Sequence, residues 1–202
     1  QQTKLKRWKD FVSKVSSPEI RTTLMLTFFA VSVFAALEAT FAMWTERTFG
    51  WGVAQNGYVF AFSGILSAFV QGVVVGPMSK KWGEATLINQ GFLALFIGLL
   101  MIPFSYTLEI LLIAMAIVTY GFSLTSPTLS SRLSLQVSKE EQGTMLGIGR
   151  SASTLARVIG PAGSGYVFAI LGKDWPFYLG ALIIFIILLM SLTAKRLNSN
   201  KP

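Results

Sequence analysis

The sequence contains no cysteine and no histidine. The first absence excludes disulfides and thiolate metal sites. The second removes the commonest general base and metal ligand. Charge is scarce as well: 13% of the residues are Asp, Glu, Lys or Arg, where a soluble domain carries about 25%. A Ser-His-Asp set is impossible, and no glycine-rich phosphate loop with its lysine is present, which argues against nucleotide-driven work. These residues imply no catalytic set, no metal and no cofactor. What fills the chain instead is apolar: 52% hydrophobic residues, 16 Phe and 18 Gly, with a mean hydropathy of +0.59.

Six apolar stretches are each of the length that crosses a bilayer, which takes roughly 20 residues. They run Thr22–Met43, Gly57–Val75, Thr86–Ile102, Leu108–Leu124, Thr144–Leu171 and Phe177–Ala194. The runs are continuously apolar and do not alternate at period two, so helices fit and a barrel does not. The fold class expected is an all-α membrane protein with six transmembrane helices. Ser17-Pro18-Glu19 reads as a helix cap, a first-turn proline and an acid at the positive end of the dipole. Ser138-Lys139-Glu140-Glu141 reads as a capping box that starts the fifth helix in water. Pro103 and Pro127 are expected to mark helix ends, and Pro161 to bend the fifth helix from within. Trp44, Trp51, Tyr106, Trp175 and Tyr178 fall near one boundary and read as an aromatic belt.

The net charge of +8 is a topology signal. With the amino-terminal tail placed inside, thirteen of the 17 basic residues fall on inner segments and only Arg47 and Lys173 on outer ones. This bias predicts cytoplasmic termini and an integral, plasma-membrane protein, and it leaves no case for nucleic acid. Residues 1–17 read as a basic cytoplasmic linker. Leu5, Trp8, Phe11, Val12 and Val15 share one helical face there, so a short amphipathic helix on the inner leaflet stands beside a disordered linker. Residues 18–196 form the six-helix domain, and 197–202 a cytoplasmic tail. The chain begins at Gln1 rather than Met and shows no signal peptide, which reads as a fragment or a processed product.

Gly76-Pro77-Met78-Ser79-Lys80-Lys81-Trp82-Gly83-Glu84 joins the second and third spans. It resembles the loop signature of the major facilitator superfamily, a Gly, then small and charged residues, then a basic residue and a Gly. Phe49-Gly50-Trp51 with Gln55 and Gly57, Gln71-Gly72, Glu141-Gln142-Gly143 and Ile159-Gly160-Pro161 extend the likeness over residues 20–195. They resemble the carboxy-terminal half of drug/proton antiporters related to the tetracycline exporters. Where the family's loop has an acid that latches it to a neighbouring helix, this chain has Lys80, which weakens the latch and leaves Lys80 and Lys81 as inner-leaflet anchors. The resemblance implies one half of a twelve-helix fold, with an amino-terminal six-helix half as the missing partner, protons as the coupling ion and a small molecule as the substrate.

Ionisable groups inside a bilayer cost about 2.5–3.5 kcal/mol each on insertion scales, so Glu38, Arg150 and Arg157 carry most of the information. Arg150 and Arg157 are two turns apart on one helical face. Glu38 and Arg157 lie at similar depths, so an ion pair between them is allowed. Such a pair would either bind substrate and exchange a proton, or fix the first helix against the fifth. Gln71 would face substrate or bridge helices; Gly72 and Gly76 beside it permit close helix contact. Tyr120, with Thr119 and Ser123, would line a cavity or pack. Gly160-Pro161 and the glycines after it make a thin, bendable stretch. Two functions remain: half of a proton-coupled exporter working by alternating access, and a six-helix scaffold or receptor-like protein that transports nothing alone.

Overall fold

The computed structural model describes residues 16–199, with side chains up to residue 193. The basic linker proposed for residues 1–15 and the last three residues of the tail lie outside the described residues. Six helices are long and apolar enough to cross a membrane: α1 Pro18–Phe49, α2 Val53–Trp82, α3 Glu84–Met101, α4 Leu108–Leu135, α5 Gln142–Leu171 and α6 Trp175–Ser199. A 3₁₀ turn, Ile102–Phe104, extends α3. The described residues contain no strand.

The local signals succeed where side chain and backbone act together. Ser17 caps α1 by accepting from the Ile20 N–H at 3.5 Å, with Pro18 in the first turn. Three glycines take positive φ, and each ends a helix where an L side chain is disfavoured: Gly50 at 68°, Gly83 at 77° and Gly172 at 108°. Pro103 sits in the 3₁₀ turn that closes α3.

Several sequence expectations need correction. Pro127 does not end α4, which runs on to Leu135. Proline removes the N–H owed to the Ser123 carbonyl, but the hydroxyls of Thr125 and Thr128 bind the backbone at Gly121 and Leu124 on either side, at 2.7 and 2.6 Å. The Ser138–Glu141 pair does not start α5. Glu141 accepts from the Ser138 N–H at 3.2 Å and hydroxyl at 3.0 Å, which closes a turn, and the helix begins one residue later at Gln142. The glycine- and lysine-bearing segment after the second span is helix rather than loop. Helical structure persists through Lys80 and Lys81 to Trp82, and Gly83 alone makes the break. Trp44 is no belt residue. It is fully buried, and its indole N–H donates to Asp174 at 2.7 Å.

Packing divides the helices unequally. α3 and α4 make the closest pair. A Cβ on Gly121 would stand 2.6 Å from the Gly91 carbonyl oxygen, and one on Gly91 would stand 2.7 Å from the Gly121 carbonyl. The two backbones therefore touch, as small residues allow inside a membrane. α6 covers the back of α3, and Phe92, Leu95, Leu99, Phe177 and Ile184 fill the core between and around them. α1 runs beside α5 and also meets α4 and α6. α2 is held mainly by α4. α2 and α5 thus flank the bundle, each with one face against it and the rest uncovered.

Candidate functional site

α1, α2 and α4 enclose an open cavity of about 490 Å³. The position of each lining residue follows from helix periodicity. Ser63 and Ser67 stand one turn apart on α2, Thr119 and Ser123 one turn apart on α4, and Phe34 and Glu38 one turn apart on α1. Phe34 and Phe122 stack across α1 and α4, with centroids 3.8 Å apart and planes 5° from parallel.

Glu38 is the one charged residue among those lining the cavity. Arg157 on α5 reaches it from outside the lining, Nη1 to Oε2 at 3.3 Å, with the two side chains 55% and 42% exposed respectively. The contact is single and long for a charge-assisted bond. The other carboxylate oxygen, Oε1, has no hydrogen-bond partner among the described residues. The depth argument from sequence allowed an ion pair between these two residues, and in the structure they meet. Arg150 lies two turns nearer the start of α5, exposed, with no carboxylate partner among the described residues.

Polar side chains link α2 and α4 at the cavity, with Gln71 itself outside the lining residues. Gln71 Nε2 donates to Ser67 Oγ at 2.8 Å, and Ser67 Oγ pairs with Ser123 Oγ at 2.8 Å. Gln71 sits in a five-residue π-helical stretch, Val70–Val74, with Gly72 beside it. Single-turn π segments of this kind are frequent at functional places in helices. Gly72 and Gly76 have open space where a Cβ would stand, so neither makes the close helix contact their spacing allows. Ser63 Oγ is buried with no partner among the described residues. Tyr120 is half-buried and not among the lining residues, although Thr119 beside it is. Sequence reasoning missed Ser63, Ser67 and the three phenylalanines Phe34, Phe60 and Phe122. A Ser63–Ser67–Gln71 stripe at i, i+4, i+8 was the available signal for the two serines.

Gly160 and Pro161 lie inside an unbroken α5. A Cβ on Gly160 would land on the Ser32 carbonyl oxygen, so this glycine allows α5 to touch α1. Gly163 and Gly165 have open space where a Cβ would stand. Behind this crossing, α1, α5 and α6 leave a second, apolar cavity of about 270 Å³. Lys80 and Lys81 are exposed at the end of α2, and Glu84, just past Gly83, accepts from Ser131 Oγ on α4 at 2.5 Å. That bond ties the α2–α3 junction to a neighbouring helix from the residue after Gly83.

Known proteins share this arrangement. The Major Facilitator Superfamily model matches residues 23–202. The class B tetracycline resistance protein of Escherichia coli is 29% identical over 181 residues, 84% of this chain and 43% of that protein. The mouse major facilitator superfamily domain-containing protein 10 is 27% identical over 155 residues, 77% of this chain and 34% of that protein. The chain thus spans less than half the length of these curated relatives. The crystal structure of the human organic anion transporter MFSD10 superposes with a TM-score of 0.80 over 87% of this chain and 42% of that one, at 23% identity, a likeness of fold. With a family model covering most of its length and six spans folded as that family's half, the chain belongs to the Major Facilitator Superfamily.

Proposed function

We propose that the chain works as the carboxy-terminal half of a secondary active transporter, exporting small organic molecules in exchange for protons by alternating access, and is not an enzyme. The observation that carries this reading is the Glu38–Arg157 pair: an acid and a base held at mid-span, half-exposed, on the margin of an open cavity whose mainly apolar lining carries a few hydroxyls. Charges in hydrocarbon are retained where they face a water-filled path or each other; these two face each other, and Glu38 also lines the cavity. The tetracycline resistance proteins among the relatives support efflux as the direction. The uncovered faces of α2 and α5 suit an amino-terminal six-helix half, which closes the cavity in the working protein. In this reading the six-helix domain occupies 18–196, both termini are cytoplasmic, and the membrane is the plasma membrane.

The test joins function to completeness. The chain is reconstituted in liposomes alone and together with a six-helix amino-terminal half, and proton-driven efflux of a fluorescent drug is measured. Drug efflux is expected only with both halves. It should be lost in Glu38→Gln while folding is retained. Efflux with unchanged pH dependence in Glu38→Gln overturns the role of Glu38. Gradient-driven transport by the monomeric chain alone overturns the half-transporter reading. Orientation is tested separately, with single cysteines at Ser79 and Asp174 and an impermeant thiol reagent on intact cells: labelling at Asp174 only is expected.

A further inference from the structure

We infer that the second cavity, between α1, α5 and α6, is a binding site for a membrane phospholipid, with one acyl chain in the cavity and the phosphate at Lys173. The site is separate from the first cavity. Ser32 and Ala36 line the second cavity, Phe34 and Glu38 the first. Residues two apart on a helix point about 200° away from each other, so the two cavities lie on opposite sides of α1. Glycines shape the second one. α5 and α6 both pack on α1 but touch each other little. Gly160 lets α5 meet the Ser32 carbonyl, and Gly180 brings α6 onto α1, where an added Cβ would stand 3.1 Å from Val33 Cγ1. Gly163 has open space beside it and leaves the α5 wall bare. The result is a trough along α1 from Phe28 to Ala36, about 12 Å long at 1.5 Å per residue. It runs along the helices, as lipid chains do.

The lining selects hydrocarbon. It contains no charged residue and only two hydroxyls. Ser164 Oγ already donates to the Ala36 and Pro161 carbonyls, at 3.4 and 3.2 Å, and Ser32 Oγ is buried. A polar ligand finds no partner here. The volume of about 270 Å³ falls below the range of about 300–1,000 Å³ that drug-sized ligands occupy. A gap open to hydrocarbon forfeits dispersion contacts until a chain fills it. The charge lies at one end. The turn Gly172-Lys173-Asp174 joins the two walls, and Pro176 just beyond it lines the cavity. Lys173 Nζ donates to Thr48 Oγ1 at 2.9 Å and stands 5.8 Å from the centroid of the Trp44 ring. Asp174 Oδ1 is occupied by the Trp44 indole N–H, and Lys173 has no ion-pair partner among the described residues. An ammonium has three donors, so two remain, and a lipid phosphate at the boundary is the anion within their reach.

Photo-crosslinking tests the site. The probes are a phosphatidylcholine with a diazirine in one acyl chain and a diacylglycerol with the same chain, each added in trace amount to the 202-residue chain in detergent micelles. Labelled residues are mapped by peptide mass spectrometry. Phosphatidylcholine is expected to label Phe28, Ile159, Val167 and Ile183 several-fold more than Leu93 and Ile97, which are exposed on α3. Unlabelled phosphatidylcholine should saturate that labelling. Diacylglycerol should label the cavity several-fold less, and Lys173→Gln should bring phosphatidylcholine down to the same level. Gly163→Leu enters open space within the cavity and should abolish cavity labelling. Gly165→Leu enters open space outside the lining and should leave it unchanged. If Gly163→Leu does not fold, Val167→Trp fills the cavity from the same wall, and mapping and saturation on the unaltered chain decide. Equal labelling of the cavity and of α3, labelling that survives both filling substitutions, or equal labelling by the two probes overturns the inference. So does loss of the labelling when an amino-terminal half is added, because that half then covers the cavity. The transport reading fails by a different result: absence of proton-driven efflux with both halves present leaves the lipid site standing. Efflux without cavity labelling sinks only the lipid site.

Discussion

α3–α4 and α2 illustrate two ways of building a membrane helix. Half of the most apolar stretch of α4 is buried inside the molecule, against 11% of that of α2. Both are about equally apolar, with mean hydropathy 1.9, so hydrophobicity does not explain the difference. Small residues do. α3 and α4 each place a glycine where the other backbone arrives, Gly91 against Gly121. Lipid tails are as apolar as leucine, so association inside a bilayer comes from close packing and hydrogen bonds rather than from hydrophobic burial. α2 has glycines as well, but Gly57, Gly64, Gly72 and Gly76 all have open space where a Cβ would stand. The first pair is a packed frame. α2 is a wall attached to it by Ser67–Ser123 in the middle, and to α1 by Thr45–Asn56 near its start. α5 is intermediate: it runs closely along α1, with Gly160 against the Ser32 carbonyl, yet leaves most of its own surface uncovered.

The strongest way to break this contrast is to add bulk on each side. Gly91→Leu should abolish the folded monomer, because the new side chain meets Thr125 and the Gly121 backbone, neither of which can give way. Overpacking costs typically about 1–3 kcal/mol, more where backbone is struck. Gly72→Leu should leave the chain folded, since nothing stands in its path. Size-exclusion profiles and thermal melts in detergent check both. Equal damage from the two substitutions would end the distinction between frame and wall.

The next effect is smaller and concerns the buried end of α1. Asp174→Ala removes the acceptor of the Trp44 indole N–H, which is fully buried. An orphaned buried donor costs about 1–3 kcal/mol, so a clear fall in melting temperature is expected, with Asp174→Asn falling less. A belt residue at a lipid boundary would show no such sensitivity.

The polar bridge between wall and frame should be weaker. Hydrogen bonds between membrane helices average about 0.6 kcal/mol in double-mutant cycles, and Ser67→Ala with Ser123→Ala should couple at about that level. A coupling of several times this value would mean that α2 is fixed as firmly as α3. Smallest of all is the effect of the ion pair on stability. Glu38 and Arg157 are half-exposed in this chain, and exposed pairs contribute about 0–1 kcal/mol. Arg157→Gln should therefore hardly move the melting temperature of the 202-residue chain, whatever it does to transport. A large loss of stability would make the pair a structural tie between α1 and α5.

Much of the architecture was legible in the residues because bilayer physics narrows the choices. Six apolar runs without period-two alternation leave no alternative to helices. Similar depth allowed an ion pair between Glu38 and Arg157 without requiring it, and the structure brings them to 3.3 Å. The boundaries were less legible. Pro127 reads as a stop in a sequence, but in the folded α4 the missing hydrogen bond is flanked by threonines that bond the same backbone. The lysine-bearing segment after the second span reads as a loop, since polar residues in a row usually leave the membrane, yet it stays helical: Pro77 falls in the first turn after the π-helical stretch Val70–Val74, and the break comes only at Gly83.

The sequence by itself determined the class of the molecule, the number of its spans and the cap at Ser17, and it singled out the few mid-span charges that need a partner or a cavity. These follow from local chemistry and from the cost of placing charge in hydrocarbon. Only the tertiary structure decided which glycines touch, that Trp44 is buried against Asp174 and that Ser63, Ser67 and Ser123 face one cavity with Glu38 while Tyr120 does not. The physical reason is that every face of a membrane helix can be apolar. Periodicity then no longer marks the inward side, and the partner of each face is settled by shape and by a handful of hydrogen bonds between helices distant in sequence.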